Sequence, residues 1–308
     1  MSTNNCFSFA RIGMVMKRDF VENRKTNMYV FLGIFLAFLG LYLGNMAEYN
    51  NVYNDAYLNR IAPSYINDHV SFFVGIFSFV LLYFAAEMMR NMRTKESRFS
   101  YLMLPASSLE KFVARALYVT LGLVLMVFMA SLLAEAVHWL FMPFFKDFPE
   151  ELKVCVWPEV WGKIWGVINP FQTRIVYLNA SYDTDPSTWQ QVEKSLFFIY
   201  LMGYAASLWQ HSIFVLGGNY FGKHPFLKTI GTMILVAILI AWICTYMHWD
   251  NLGRMIGNLI DDHTHWLTEE MVAGFISFIF FVFTALNWWL SYKLFTRRQV
   301  IEPKFRLL

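Results

Sequence analysis

The stretch ALYVTLGLVLMVFMASLLA, residues 116–134, holds 19 residues without an Asp, Glu, Lys or Arg. A helix rises about 1.5 Å per residue, so about 20 residues cross the hydrocarbon core of a bilayer. A helix also pairs its backbone N–H and C=O groups internally, which a segment surrounded by lipid must do. The stretch therefore predicts a membrane-spanning helix in the middle of the chain.

Five further runs share the length and the lack of charge of this stretch. They lie at residues 28–47, 70–86, 195–218, 229–247 and 271–292. The chain is 57% hydrophobic and 19% aromatic over 308 residues, which is more apolar than an ordinary soluble domain. Together the six runs predict an all-α membrane protein whose residues 1–308 form a single transmembrane domain.

Basic residues lie unevenly on the two sides of these runs. When the segments between runs alternate between two sides, the side with both termini holds 18 Lys and Arg, and the other side holds 7. Basic residues resist translocation, so the richer side is predicted to be cytoplasmic, with both termini inside. The charges flank the spans instead of forming one continuous patch, which argues against nucleic-acid binding.

Residues 9–25, FARIGMVMKRDFVENRK, precede the first run and have a helical pattern. Phe9, Ile12, Met16 and Phe20 recur at spacings of three and four, which places them on one face of a helix. Basic side chains project from the rest. The pattern predicts an amphipathic helix in the inner headgroup layer, with an ordinary positively charged flank as the alternative.

The third intervening segment, residues 135–194, is the longest. Trp157, Trp161 and Trp165 recur every four residues in it, which predicts a short helix that rests on the outer leaflet or caps the bundle. The Asn169-Pro170 pair should end this helix, because a proline disfavours helical geometry in the residue before it. The role of the long segment stays open.

The second intervening segment carries the densest pattern in the chain: RNMRTKESRFSYLMLPASSLEK, residues 90–111. Pro105 cannot continue a helix interior, so a short charged helix should end just before it. Ser107 followed by Glu110 has the spacing of a capping box and should start the helix that becomes the third span. A displacement of the short helix would then be transmitted to the third span.

In these features the chain resembles the permease subunits of type-two ATP-binding-cassette (ABC) exporters. The resemblance rests on the interfacial helix, the six spans with both ends inside, and the stretch YLMLPASSLEKFVARAL, residues 101–117. In that family the segment between spans two and three is a coupling helix that docks on a separate cytoplasmic ATPase. The resemblance is specific over about 20 residues, and the long third segment departs from the family pattern.

The resemblance implies a partner set and a set of coupling residues. A permease of this family has no catalytic, cofactor-binding or metal-binding residues; two permease chains form a bundle in the bacterial inner membrane, and two ATPase subunits drive it. The matching segment runs from Arg93 to Glu110. The implied coupling residues combine charges with apolar groups: Arg93, Lys95, Glu96, Arg98, Phe99, Tyr101, Leu102 and Leu104. The alternative for this segment is a charge cluster that only stops translocation.

One motif superficially indicates a nucleotide site. Residues 217–224, GGNYFGKH, nearly fit the phosphate-binding pattern G-x-x-x-x-G-K-[ST]. The motif ends in His224, which lacks the hydroxyl that holds magnesium, and it joins two predicted spans instead of a strand and a helix. We interpret it as a tight cytoplasmic turn and expect ATP hydrolysis to belong to another chain.

Polar residues inside the spans give a second set of candidates. Gln210 and His211 lie in the inner half of the fourth predicted span, where they would line a transport pathway or hydrogen-bond a neighbouring helix. Two other functions stay open. One is a membrane metalloenzyme that uses the groups Glu135, His138, His211, Asp261, Asp262, His263 and His265. The other is a non-catalytic scaffold that anchors a partner through residues 90–111. The transported substrate, the direction of transport and the pairing of permease chains also stay open.

Overall fold

The computed structural model describes residues 7–50, 55–92, 94–153, 155–171, 173–179, 189–246 and 269–300. Most of them are helical. The N-terminal helices are α1 (Phe9–Glu22), α2 (Arg24–Tyr49), α3 (Asp55–Ala86), α4 (Lys95–Leu102), α5 (Ser108–Leu117) and α6 (Leu123–Phe141). The later helices are α7 (Val156–Ile168), α8 (Phe197–Tyr220), α9 (Pro225–Tyr246) and α10 (Glu269–Val300).

Five stretches within the described ranges are long and apolar enough to cross a membrane, as in a multi-pass membrane protein. They are Arg24–Tyr49, Ser64–Met92, Ser108–Phe144, Pro225–Tyr246 and Glu270–Arg297. The predicted fourth span coincides with α8, which has 24 residues and is long enough. It falls outside the five because polar side chains in its middle, Gln210 and His211 among them, lower its mean hydropathy.

Two membrane helices extend beyond the apolar runs that predicted them. Helix α3 begins at Asp55, so most of the segment predicted as an outer loop, residues 48–69, is helical. An apolar run marks the part of a helix that is compatible with lipid and does not mark the ends of the helix. The helix can continue into polar sequence as long as its backbone hydrogen bonds are made. The third span is continuous from Ser108 to Phe144, with one π-helical turn at Tyr118–Gly122 between α5 and α6.

The chain divides into two compact units. The first contains residues 1–164, 214–226 and 289–308, and the second contains residues 165–213 and 227–288. The core of the first unit is built by α2, α3, α6 and α7. Its fully buried members include Met46, Tyr65 and Val127, and α7 adds Val156 and Val160. The apolar face of α7 thus packs on the helices, while Trp161 on its other face is exposed.

The second unit is held by aromatic and small residues. Trp209 of α8 stacks on Phe280 of α10, with ring centroids 5.1 Å apart. Beside them the Asn287 Nδ2 group donates a hydrogen bond of 2.9 Å to the Ser212 hydroxyl. Gly274 lets α10 approach Phe198 closely, because an added Cβ would lie 3.2 Å from that ring.

A β-hairpin was not predicted and adds to the helical fold. Strand β1 (Thr173–Asn179) pairs antiparallel with β2 (Trp189–Ser195), with Thr173 opposite Ser195. The sequence RIVYL within β1 is rich in β-branched and aromatic residues, which suit a strand. The strong signal of the neighbouring apolar runs led to the prediction of an all-α chain.

Residues 217–224, which nearly fit a phosphate-binding motif, form the end of α8 and the turn to α9. His224 adopts a positive φ of 49° directly before Pro225, which begins α9. Gly218, at a variable position of the motif, is needed for packing, because an added Cβ would lie 2.3 Å from the Ala86 carbonyl oxygen. These residues therefore make a turn and a close helix contact.

Candidate functional site

The segment predicted to couple to a partner folds as a short helix, a break and a capped helix. The Thr94 side chain caps α4 by accepting a 3.2 Å hydrogen bond from the Ser97 N–H. Helix α4 ends at Leu102, three residues before Pro105. Helix α5 then begins with the predicted capping box, in which Ser107 and Glu110 exchange hydrogen bonds of 2.8 and 3.2 Å. This part of the prediction is confirmed.

The predicted coupling residues do not share one face of α4. Phe99 is 69% exposed and Glu96 is also exposed, whereas Tyr101 is only 1% exposed. Tyr101, one of the implied coupling residues, is therefore not a surface aromatic, because its ring points to the opposite side of the helix. Met103, which was not predicted, is 84% exposed and lies four residues after Phe99.

The exposed stripe, defined here as Glu96, Phe99 and Met103, follows the spacing of one helix face at positions i, i+3 and i+7. Arg98, Leu102 and Leu104 are half-buried beside it. Arg93 and the side chain of Lys95 lie outside the described residues. The spacing of four residues between Phe99 and Met103 is the sequence signal that would have indicated Met103.

Tyr101 anchors α4 to α5. Its hydroxyl donates a 3.0 Å hydrogen bond to the Lys111 carbonyl oxygen, and the Lys111 Nζ group donates one of 2.9 Å to the Leu102 carbonyl oxygen. Burial raises the pKa of the Tyr101 phenol above its ordinary value, so the group stays protonated and donates. The two helices are therefore tied at the break by reciprocal contacts.

Glu110 also clamps α1. Its carboxylate is fully buried and accepts hydrogen bonds from the Arg11 Nε and Nη2 atoms at 2.7 to 3.1 Å. It accepts a further 2.7 Å bond from the Ser8 backbone N–H, just before α1. One carboxylate thus caps α5 and fixes the start of α1, which a local capping-box pattern does not reveal.

A second ionic contact joins α1, α5 and the end of α3. Asp19 is fully buried, and its Oδ2 atom lies 3.1 Å from the Arg115 Nη1 atom. The Asn91 Nδ2 group donates a 2.8 Å hydrogen bond to Asp19 Oδ1, and Arg115 Nε donates one of 2.9 Å to the Met88 carbonyl oxygen. Removing one partner would leave a buried, unpaired charge.

Arg18 completes the connection by donating a 3.0 Å hydrogen bond from Nη1 to the Ser100 carbonyl oxygen in α4. Helices α1, α4 and α5 and residues 88–92 therefore form one hydrogen-bonded body, called here the α1–α4–α5 junction. The exposed stripe lies on the free side of α4. Helix α5 of this junction runs without interruption into the π turn and α6.

The structure separates Gln210 from His211. Gln210 is exposed, while His211 is buried and its ring lies against Trp288 with centroids 6.0 Å apart. Within the described residues His211 Nε2 has no hydrogen-bond partner. Its neighbour Ser212 makes the hydrogen bond between helices described above.

The Glu135–His138 motif has a structural use. Glu135 Oε1 accepts hydrogen bonds of 2.7 Å from the Val156 N–H and 3.3 Å from the Trp157 N–H, so the carboxylate caps the start of α7. Cys155 Sγ donates to the same oxygen at 3.1 Å, and burial raises the pKa of this thiol. A carboxylate at a helix N-terminus is favoured by the exposed N–H groups and the helix dipole.

A membrane metalloenzyme would need a cluster of metal ligands. In the described part of the chain, no three His, Cys, Asp or Glu side chains are grouped to hold an ion. His138 is buried with its ring stacked 4.9 Å from the ring of Tyr42. The group at 261–265 lies outside the described residues.

Comparison of the chain with protein-family models, curated proteins and solved structures found no match.

Proposed function

We propose that the chain is the permease subunit of an ABC transporter, and that it exports its substrate across a bacterial inner membrane. The observation that carries the proposal is the exposed stripe of α4, which presents a carboxylate and two large apolar groups on a helix anchored from behind. A helix used only to stop translocation has no need of exposed Phe99 and Met103. A partner surface that buries them gains the hydrophobic contribution of both.

The proposed complex contains two permease chains and two cytoplasmic ATPase subunits. The chain itself is not an enzyme, and its six predicted spans place both termini inside. Apolar surface supports the membrane part of the proposal: only 6% of the most apolar window of α9 is buried within the protein. Such a surface is stable against lipid or against a second chain, and not against water.

The proposed mechanism is mechanical. ATP binding closes the ATPase pair and moves the docked α4 helices. The α1–α4–α5 junction transmits that displacement to α5 and, through the π turn, to α6, which changes the access of a pathway between the two chains. A ligand drives such a change only by binding one arrangement more tightly than the other.

A photo-crosslinking experiment tests this assignment. A photoreactive amino acid at Phe99 or Met103 should crosslink, in intact cells, to a protein with a nucleotide-binding site that hydrolyses ATP after purification. The control position is Met14, which is exposed on α1 and does not belong to the exposed stripe. Crosslinks to a protein without ATPase activity would favour the scaffold, and equal yields from Met14 would remove the case for a specific docking face.

A further inference from the structure

A groove on the first unit lies between α1, the start of α2, the end of α3 and the π turn with α6. Its volume is about 730 Å³, within the range of ligand sites. Its walls are apolar, and they include the exposed side chains of Phe20, Met28, Leu125 and Met129. Only two of its lining residues carry a charge, and both are cations: Lys17 and Arg24.

The two cations have no partner of their own among the described residues. Lys17 and Arg24 are exposed and make no ion pair or hydrogen bond with these residues, unlike Arg11, Arg18 and Arg115 in the junction. Both lie at the end of the groove where α1 meets α2. An unpaired cation at the edge of an apolar surface attracts an anionic group.

The groove is long, and its charged residues lie at one end. From Arg24, the lining continues along α2 to Phe31, seven residues or about 10 Å further into the span. On the opposite wall it runs from Tyr118 to Met129, about 16 Å along the third span. The Asn27 Nδ2 group donates a 2.6 Å hydrogen bond to the Tyr118 hydroxyl and closes the floor between the two walls.

The π turn shapes this wall. Gly122 ends the turn and lines the groove without a side chain, and an added Cβ would lie 4.0 Å from the nearest atom, Tyr118 Cδ2. A larger side chain there would therefore enter the groove and not collide with the core. Single π turns inside α-helices occur frequently at functional sites.

We propose that this groove binds one phospholipid with an anionic headgroup, from the leaflet in which α1 lies. Lys17 and Arg24 hold the phosphate, and an acyl chain lies between α2 and α6. An amphiphile fits because charge is confined to one end of the groove and apolar side chains fill the rest. Bound there, the lipid connects α1 to the third span beside the α1–α4–α5 junction. The inference goes beyond the proposed transport and does not depend on it.

Native mass spectrometry of the full-length chain, delipidated in detergent, tests the proposal. The probes are phosphatidylglycerol and phosphatidylcholine with identical acyl chains. One phosphatidylglycerol should bind per chain, more tightly than phosphatidylcholine. The double variant Lys17→Gln, Arg24→Gln should weaken phosphatidylglycerol binding about thirty-fold. It should weaken phosphatidylcholine binding less, because the choline cation offsets the charge of that phosphate. Gly122→Phe should weaken both lipids.

The matched controls are Lys25→Gln, an exposed cation next to Arg24, and Gly231→Phe, a glycine of α9 with nothing within 4 Å of an added Cβ. Neither should change lipid binding. Equal affinity for the two lipids, or unchanged phosphatidylglycerol binding by the double variant, would overturn the headgroup site. A dimer that Gly122→Phe dissociates without loss of lipid would assign the groove to a second copy. No arm uses ATP, so the result is independent of the transporter assignment.

Discussion

The buried pair of Asp19 and Arg115 should hold α1 on the junction, and Asp19→Ala tests this most sharply. The variant leaves the Arg115 guanidinium, which is 3% exposed, without its carboxylate and the Asn91 amide without its acceptor. Breaking a buried ion pair costs about 3–5 kcal/mol, and an unsatisfied buried donor about 1–3 kcal/mol. We expect a destabilisation of about 4 kcal/mol, the middle of the range for a broken buried ion pair.

Two measurements follow from this reasoning. Thermal unfolding of the purified full chain should show the lower stability, and limited proteolysis should cut within α1, because α1 loses its central contact. The double variant Asp19→Leu, Arg115→Met should recover most of the loss, since replacing both charges by apolar groups removes the desolvation cost. Recovery should be incomplete, because Arg115 also donates to the Met88 carbonyl oxygen.

Lys25→Ala is the control, since Lys25 is exposed on α2 and should change stability by less than about 0.5 kcal/mol. A cost of less than about 1 kcal/mol for Asp19→Ala would refute the stabilising pair. So would effects of the single variants Asp19→Leu and Arg115→Met that add in the double variant. Additive effects would mean that the two side chains do not interact energetically.

The remaining predictions concern the threading and the α7 cap. Reporter fusions after residues 60, 180 and 260 should be exported and fusions after 98, 223 and 305 cytoplasmic, because of the uneven distribution of basic residues; an exported reporter after 98 would contradict the proposed docking side. Glu135→Ala should lower thermal stability by about 1–2 kcal/mol by removing the cap of α7. The exposed Glu48→Ala is its control, and an equal loss in both variants would speak against the cap.

Local patterns predicted the parts of the structure that depend on neighbouring residues. The Ser107–Glu110 capping box, the break at Pro105 and the end of α7 before Asn169 all follow from interactions within a few residues. The membrane-length helices follow from apolar runs for the same reason. None of these features needs knowledge of what lies across the bundle.

The missing parts depend on contacts between residues far apart in the chain. Asp19 meets Arg115 and Arg11 meets Glu110 across more than 90 positions, so no local spacing indicates either pair. Tyr101 was expected at the surface because it lies in a charged segment, and only the position of α5 decides that it is buried. The spacing of Glu135 and His138 indicated a metal ligand, because the sequence does not show that the Glu135 carboxylate caps the start of α7.

The affinity of the proposed ATPase partner for the chain tests the central claim most directly. The double variant Phe99→Ala, Met103→Ala should keep wild-type thermal stability, since both side chains are exposed, and should bind the purified ATPase at least about thirty-fold more weakly, as expected for a truncated hot spot of about 2 kcal/mol. Val21→Ala, on an exposed position of α1, should bind normally. Unchanged affinity in the double variant, with transport intact, would contradict the assignment of α4 as the docking helix.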